Sequence, residues 1–181
     1  YGVLAVPGME INTSEEVHAV CLFPNLEAAL CFDSYVYGKL IRFPNNEAIF
    51  GKQQIYNEQD QVCGTEPNLL INATEISFDG LWELVRSYGG VMFPAHVDKT
   101  ANSLIANLGF IPPDSRFRTA EVKDLKKLHQ LQKDNPYLDK CRIISNSDAH
   151  YLEHMHEPEL TLQVEEKTVQ GIIDALLDGA G

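Results

Sequence analysis

The sequence predicts an α/β fold built on a mainly parallel sheet or barrel. Short apolar runs alternate with segments of helical spacing, and this strand-then-helix order is typical of parallel α/β sheets. The length of 181 residues and an apolar fraction of 44% suit one domain with a sizeable core. Three apolar runs also end abruptly in acidic or imidazole side chains. Such groups converge on one face when they follow the parallel strands of a barrel.

The first half of the chain contains two predicted strands, one predicted helix and an irregular segment. Residues 3–6 and 16–23 are rich in Val, Leu and Phe and are bounded by Pro-Gly and Pro-Asn steps, which favours strands. Apolar residues then follow a helical spacing over about 26–42. Residues 43–75 are less regular and include a predicted hairpin between 53 and 63. We therefore expect 43–75 to be an excursion from the main fold.

The second half begins with the clearest helix of the sequence. Ser77 is suited to cap a helix over 78–88, which ends at Gly89-Gly90. A strand over 91–95 follows after two residues, a connection length that is common in α/β units. The remaining predicted elements are a helix at about 102–108, a strand at 118–122, a helix at 124–133, a strand at 141–146, a strand at 160–165 and a helix at 168–178.

Composition and charge exclude several classes of protein. The net charge of -12 does not suit a non-specific nucleic-acid binder, although small phosphorylated substrates remain compatible with it. The four cysteines have no Cys-x-x-Cys spacing, which argues against a structural zinc ribbon and favours a reduced, cytoplasmic setting. Cys21 and Cys141 lie in apolar runs and are predicted to be buried thiols. No apolar run approaches the roughly 20 residues that cross a bilayer.

Two pairs of polar residues are the strongest candidates for chemistry. His96 and Asp98 follow one apolar run, and Asp148 and His150 follow another. Residues i and i+2 of an extended segment face the same way, so both side chains of a pair can reach one point. Imidazole and carboxylate together suit zinc, manganese or iron. We therefore predict that His96, Asp148 and His150 are metal ligands, while Asp98 either orients a ligand imidazole or caps a helix.

Five further residues have two interpretations each. Glu10 fits a metal ligand or a solvated surface acid, and His18 fits a ligand or a hydrogen-bonded core histidine. The cations Lys99, Arg116 and Arg118 can bind a substrate phosphate or be ordinary surface charges. The sequence contains no Walker-type loop and no Gly-x-Ser-x-Gly motif. Metal-activated water is therefore the chemistry that the residues favour.

Four short motifs occur along the chain in an order that is typical of one family. They are Gly8-Met9-Glu10, Glu16-Val17-His18, Pro94-Ala95-His96 and Ser147-Asp148-Ala149-His150. Together they resemble the PHP (polymerase and histidinol phosphatase) superfamily of metal-dependent phosphoesterases. The segment 108–113 also resembles a branch of stand-alone PHP phosphoesterases.

The resemblance implies both a fold and a metal centre. It implies a distorted (β/α)7 barrel of PHP type that holds up to three zinc, manganese or iron ions. Glu10 would be a bridging carboxylate, and His18, His96, Asp148 and His150 would be further ligands. The family's opening His-x-His motif and a later Asp-His motif are absent. We therefore expect residues 1–181 to form the C-terminal part of a PHP-like domain whose first strands are missing.

The predicted function is metal-dependent hydrolysis of a phosphoester in a small phosphorylated metabolite or nucleotide. Asp148 and His150 are the predicted catalytic residues. One alternative is a non-catalytic PHP-like binding or structural module, and another is an amidohydrolase-like enzyme that cleaves C–N bonds. We expect a small phosphorylated partner, no membrane partner and no strong nucleic-acid binding. Self-association is also expected, because a truncated barrel exposes unpaired strand edges.

Overall fold

The structure is a computed structural model that describes residues 2–179, and its fold is mixed α/β. In chain order the strands are β1 Gly8–Asn12, β2 His18–Leu22, β3 Gln54–Tyr56, β4 Val62–Thr65, β5 Val91–Pro94, β6 Thr119–Glu121 and β7 Arg142–Ile144. The helices are α1 Leu26–Lys39, α2 Glu47–Phe50, α3 Phe78–Ser87, α4 Leu104–Leu108, α5 Leu128–Asp134 and α6 Val169–Asp178. Three 3-10 turns lie at Leu125–Lys127, Pro136–Lys140 and Leu152–His154.

The central sheet has the order β1-β2-β5, and β2 runs antiparallel to both of its neighbours. The expectation of a mainly parallel sheet is therefore wrong for these strands. The cause is the short connection between β1 and β2, in which Thr13 Oγ1 accepts a hydrogen bond from Val17 N at 3.2 Å. Such a tight turn joins antiparallel strands, because a parallel pair needs a long crossover. As a result, the carboxyl ends of β1 and β5 lie at the edge where β2 begins.

A parallel pair extends this arrangement beyond β5. Strands β6 and β7 run parallel, and Val97 N donates to Glu121 O at 2.9 Å just after β5 ends. The polar residues that follow β5, β6 and β7 therefore face a common edge. Within residues 2–179 the strands form three separate sheets and no closed barrel, so the predicted (β/α)7 barrel is not confirmed.

The hydrophobic core lies beneath the central sheet. Its largest fully buried side chains include Phe23, Phe32, Leu81 and Leu104. Helix α3 joins this core through its apolar stripe, and Ser77 Oγ caps it by accepting a hydrogen bond from Gly80 N, as predicted. A smaller cluster contains Val91 and Phe93 of β5 with Ile173 and Leu176 of α6. Side chains of α1, α3 and α6 thus pack against the sheet and help to position the residues on its strands.

Two predicted strands are wrong and several other elements are confirmed. Residues 3–6 are not a strand, and Val3 is 84% exposed, because the pairing partner of β2 is the following segment Gly8–Asn12. Residues 160–165 are also not a strand and have mostly exposed side chains. The predicted hairpin within 53–63 is confirmed as β3 and β4. No helix in residues 2–179 is long and apolar enough to cross a membrane.

Candidate metal centre

Three polar side chains converge where β1, β2 and β5 meet. Glu10 lies in the middle of β1, His18 is the first residue of β2, and His96 follows the end of β5. Glu10 Oε1 lies 2.8 Å from His18 Nδ1 and 3.2 Å from His96 Nε2. One potential ligand atom from each of the three residues lies within 4.8 Å of the others. A carboxylate and two imidazoles at this spacing can hold one divalent ion. We call these three residues the triad.

The register of the strands explains this convergence. Glu10 pairs with Val20, and His18 lies two residues before Val20 on the same strand. Residues two apart on a strand face the same side, so Glu10 and His18 are diagonal neighbours on one face. Glu10 was expected to follow a strand at 3–6, and that placement is wrong because Glu10 lies inside β1. The antiparallel hairpin, rather than a strand end, brings its carboxylate to His18.

His96 is fixed by its backbone as well as by burial. Its side chain is 2% exposed, and its φ of 29° lies in the left-handed region that non-glycine residues rarely adopt. Its backbone N–H donates to Glu121 Oε2 at 2.9 Å. Strained backbone of this kind persists only where the surroundings hold it, and it often occurs at functional sites.

Hydrogen bonding and charge favour an ionised Glu10 within the triad. The hydrogen bonds with His18, then with His96, outweigh the effect of burial and hold the pKa of Glu10 far below its usual range. His96 Nδ1 is buried and has no hydrogen-bond partner among the described residues, so its polar requirement is unmet. One carboxylate and two imidazoles are a donor set that suits a divalent cation.

Asn102 contacts the ring nitrogen of His18 that faces away from Glu10, and the sequence analysis did not identify this residue. The side-chain nitrogen Nδ2 of Asn102 lies 2.9 Å from His18 Nε2. An amide side chain can present either an N–H group or a carbonyl oxygen, so Asn102 can accommodate either tautomer of His18. A partner of this type fixes the orientation of a ligand imidazole.

Asp148 lies within electrostatic reach of the triad but is held by lysines. Its carboxylate is 10% exposed, and Oδ2 forms an ion pair with Lys99 and lies 3.6 Å from Lys123 Nζ. Burial alone would raise the pKa of Asp148. The hydrogen bond from Lys99 and the charges of Lys99, His96 and Lys123 oppose this effect and lower the pKa below its usual value.

His150 is exposed and lies outside the triad. Its Nδ1 is 3.1 Å from the backbone oxygen of Asp148, and its side chain lines an open groove with Tyr151 and Met155. Among the described residues, the ligand atoms that lie within reach of one another do not include those of Asp148 or His150. The ligand and catalytic roles expected for Asp148 and His150 therefore stay predictions.

The predicted substrate-binding cations occupy different environments. Lys99 lies beside Asp148, close to the triad. Arg116 pairs with Glu83 on the surface, and Arg118 Nη1 donates to Tyr137 Oη at 3.3 Å. A substrate-binding role for Arg116 or Arg118 finds no support in these contacts, whereas Lys99 has a suitable position.

Asp98 forms hydrogen bonds with the backbone of the segment that follows β6. Its oxygens accept hydrogen bonds from Lys123 N at 2.8 Å and from Asp124 N at 2.9 Å. The capping interpretation of Asp98 is therefore wrong, because Ser103 caps the short helix that follows, and the hydrogen bonds of Asp98 do not support the interpretation that it orients an imidazole. It joins two loops instead.

Glu121 is a further residue that sequence reasoning missed. It is 5% exposed and accepts hydrogen bonds from His96 N through Oε2 and from Asn146 Nδ2 through Oε1, the latter at 2.6 Å. It thus connects the segment after β5 to the segment after β7. The sequence offered no comparable signal, because Glu121 lies inside the predicted strand at 118–122 and is followed by Val122.

Comparisons with known proteins give one useful likeness. No protein-family model matches the sequence. No curated protein matches it either. Among solved structures, the crystal structure of the novel lesion-specific endonuclease PfuEndoQ from Pyrococcus furiosus matches with a TM-score of 0.55 and 16% sequence identity. The match covers 96% of this chain and 39% of that protein. The chain has a fold similar to that of an endonuclease.

Proposed function

We propose that this protein hydrolyses phosphoesters with the aid of a divalent metal held by Glu10, His18 and His96. The observation that carries the proposal is the approach of the Glu10 carboxylate to both imidazoles at 2.8 and 3.2 Å. Oxygen and nitrogen donors of this kind suit zinc, manganese or iron. We further propose that the chain is PHP-like, because its motif order and its endonuclease-like fold point the same way.

Different residues of the chain would have different roles in hydrolysis. A bound metal supplies an activated water and stabilises charge on the reacting phosphate. Glu10 provides the anionic donor, Asn102 contacts the ring of His18 and orients it, and Glu121 fixes the backbone of His96. Asp148 and His150 are proposed to act as catalytic groups, or as ligands of an ion other than the one held by the triad, at the rim of the site. Lys99 provides positive charge for the phosphate.

The proposed substrate is a small phosphorylated molecule such as a metabolite or nucleotide. The matched protein is a lesion-specific endonuclease, and an endonuclease cleaves phosphodiester bonds. This chain carries a net charge of -12, which opposes tight binding of a long polyanion. Small phosphomonoesters and phosphodiesters are less affected, because local cations at the site can offset the overall charge.

The test is hydrolysis of p-nitrophenyl phosphate and bis(p-nitrophenyl) phosphate by the full-length protein with added Mn²⁺ or Zn²⁺. We expect turnover that depends on metal and is lost in His96→Ala. His129→Ala is the matched control, because His129 is an exposed imidazole on α5. Undiminished turnover in His96→Ala would contradict the proposal.

Two alternative functions correspond to other outcomes of the same experiment. Hydrolysis of an amide panel without hydrolysis of the phosphoesters would indicate an amidohydrolase-like enzyme. Absence of both metal binding and turnover would indicate a non-catalytic binding or structural module. Metal content measured by elemental analysis separates the second outcome from an inactive but metal-loaded enzyme.

A further inference from the structure

Two lysines from different segments converge on one partly buried carboxylate beside the triad. Lys99 forms an ion pair with Asp148 Oδ2, and Lys123 Nζ lies 3.6 Å from the same oxygen. We propose that Lys99 and Lys123, positioned by Asp148, form the phosphate-binding subsite of this centre. This inference rests on the proposed function, since it names how the same site would receive the phosphate of its substrate.

The backbone around both lysines is fixed by hydrogen bonds. Lys99 N donates to His96 O at 2.9 Å, and Lys99 O accepts from Ser103 Oγ at 2.8 Å. Lys123 N donates to Asp98 Oδ1 at 2.8 Å. Their side chains therefore extend from ordered turns toward a common point, which reduces the conformational entropy that is lost when an anion binds.

The balance of charge in this cluster favours an anion. Two ammonium groups and one carboxylate leave a formal charge of about +1 in a chain whose total is -12. The nearby Asp98 adds one negative charge, and its oxygens point to the backbone N–H groups of Lys123 and Asp124 rather than to the lysine ammonium groups. A phosphate has the charge and the oxygen acceptors that ammonium donors bind.

The three side chains of the cluster differ in their exposure to solvent. The Asp148 side chain is 10% exposed, whereas those of Lys99 and Lys123 are 37% and 43% exposed. The carboxylate thus lies beneath the ammonium groups, which keep donors available on their solvent side. A phosphate can contact both lysines without displacing Asp148. Asp148 positions the two lysines through Oδ2, and these contacts do not involve its other oxygen.

The test measures binding of inorganic phosphate by isothermal titration calorimetry, with metal-free and Mn²⁺-loaded protein. We expect the dissociation constant for phosphate to rise about tenfold in Lys123→Met and in Lys99→Met, and further in the double variant. Lys123→Arg should retain binding, because it keeps the positive charge. Lys126→Met is the matched control, since Lys126 is an exposed lysine three residues away. In turnover assays the Lys123→Met change should raise KM more than it lowers kcat.

The outcomes separate this inference from the proposed function. Equal phosphate affinity in wild type and in the folded double variant, including no binding by either, would overturn the subsite. Weakened binding in the lysine variants but not in Lys126→Met would support it even if no phosphoester were hydrolysed. Metal-dependent hydrolysis with unchanged phosphate affinity would retain the function and remove the subsite. Circular dichroism of each variant confirms folding.

Discussion

The two groups of predicted metal ligands differ in what holds them. Glu10 and His18 lie on paired strands, and His96 follows a buried strand whose neighbours fix its backbone. Asp148 and His150 lie in a segment after β7 that has no regular secondary structure, and His150 is exposed. The two groups contain similar residue types but are positioned in different ways. Strand pairing brings Glu10, His18 and His96 together, whereas Asp148 is held by lysine contacts and His150 lies in a loop.

Glu121 is the connection between these two groups. Its carboxylate accepts hydrogen bonds from His96 N on one side and from Asn146 Nδ2 on the other. A buried carboxylate with two donors keeps both segments at a fixed separation, and leaving either donor unpaired would be costly. The contrast between the two groups predicts that substitutions have their largest effect in the triad, a smaller effect at Glu121 and the smallest effect at His150.

The largest effect is expected for His96→Ala. Removing an orienting group behind a ligand typically lowers metal affinity by roughly 10–100-fold, so removing a ligand itself should cost at least about a hundredfold. Titration of Zn²⁺ by calorimetry measures this loss, with His129→Ala as the control for removal of an imidazole. Wild-type affinity in His96→Ala would remove the triad from the metal centre.

A smaller effect is expected for Glu121→Gln. The amide replaces one acceptor with a donor, so either His96 N or Asn146 Nδ2 loses its partner. We expect metal affinity to fall roughly tenfold and the free energy of unfolding to fall by about 1–3 kcal/mol. Chemical denaturation and metal titration measure the two quantities, with Glu153→Gln as an exposed control. If neither quantity changes, Glu121 does not connect the two groups.

The contacts of Asp148 with the lysines should make the stability of the protein depend on pH in acid. The pKa of Asp148 is lowered in the folded chain, so its stabilising contribution is present above the unfolded pKa of about 3.9 and is lost as pH falls through the folded value. We expect the metal-free protein to lose stability below about pH 4, and Asp148→Asn to flatten that dependence. Acid denaturation curves measure it, and Asp139→Asn is an exposed control. Parallel curves for wild type and Asp148→Asn would contradict the role of the lysine contacts.

The smallest effect is expected for His150→Ala. An exposed side chain with one backbone contact contributes little, so metal affinity should change by about threefold or less. Zinc titration under the same conditions as for His96→Ala makes the comparison direct. A loss as large as that of His96→Ala would place His150 among the ligands and erase the contrast between the two groups.

Local signals in the sequence predicted much of the fold. The cap at Ser77, the helix α3, the hairpin of β3 and β4 and the helix α6 follow from side-chain spacing and turn residues, and the structure confirms them. The strand predicted at 3–6 is wrong, because an apolar segment forms a strand only where a neighbouring strand can pair with it. The antiparallel register of β1 and β2 was also missed, since it depends on the tight turn between them.

The candidate site was only partly predictable for the same reason. The ligand types and the approximate positions of Glu10, His18 and His96 could be read from the chain, but their meeting point depends on cross-strand register. Lys123 and Glu121 reach the site through contacts between segments that are distant in sequence. No local pattern records such contacts. Expected roles for Arg116 and Arg118 rested on charge alone, and charge does not specify a partner.

The most direct test of the central claim is anomalous diffraction from crystals of the full-length protein grown with Zn²⁺. We expect an anomalous peak at about 2.0–2.2 Å from a Glu10 oxygen and from one ring nitrogen each of His18 and His96. A zinc peak bound elsewhere, with none between these three side chains, would contradict the account.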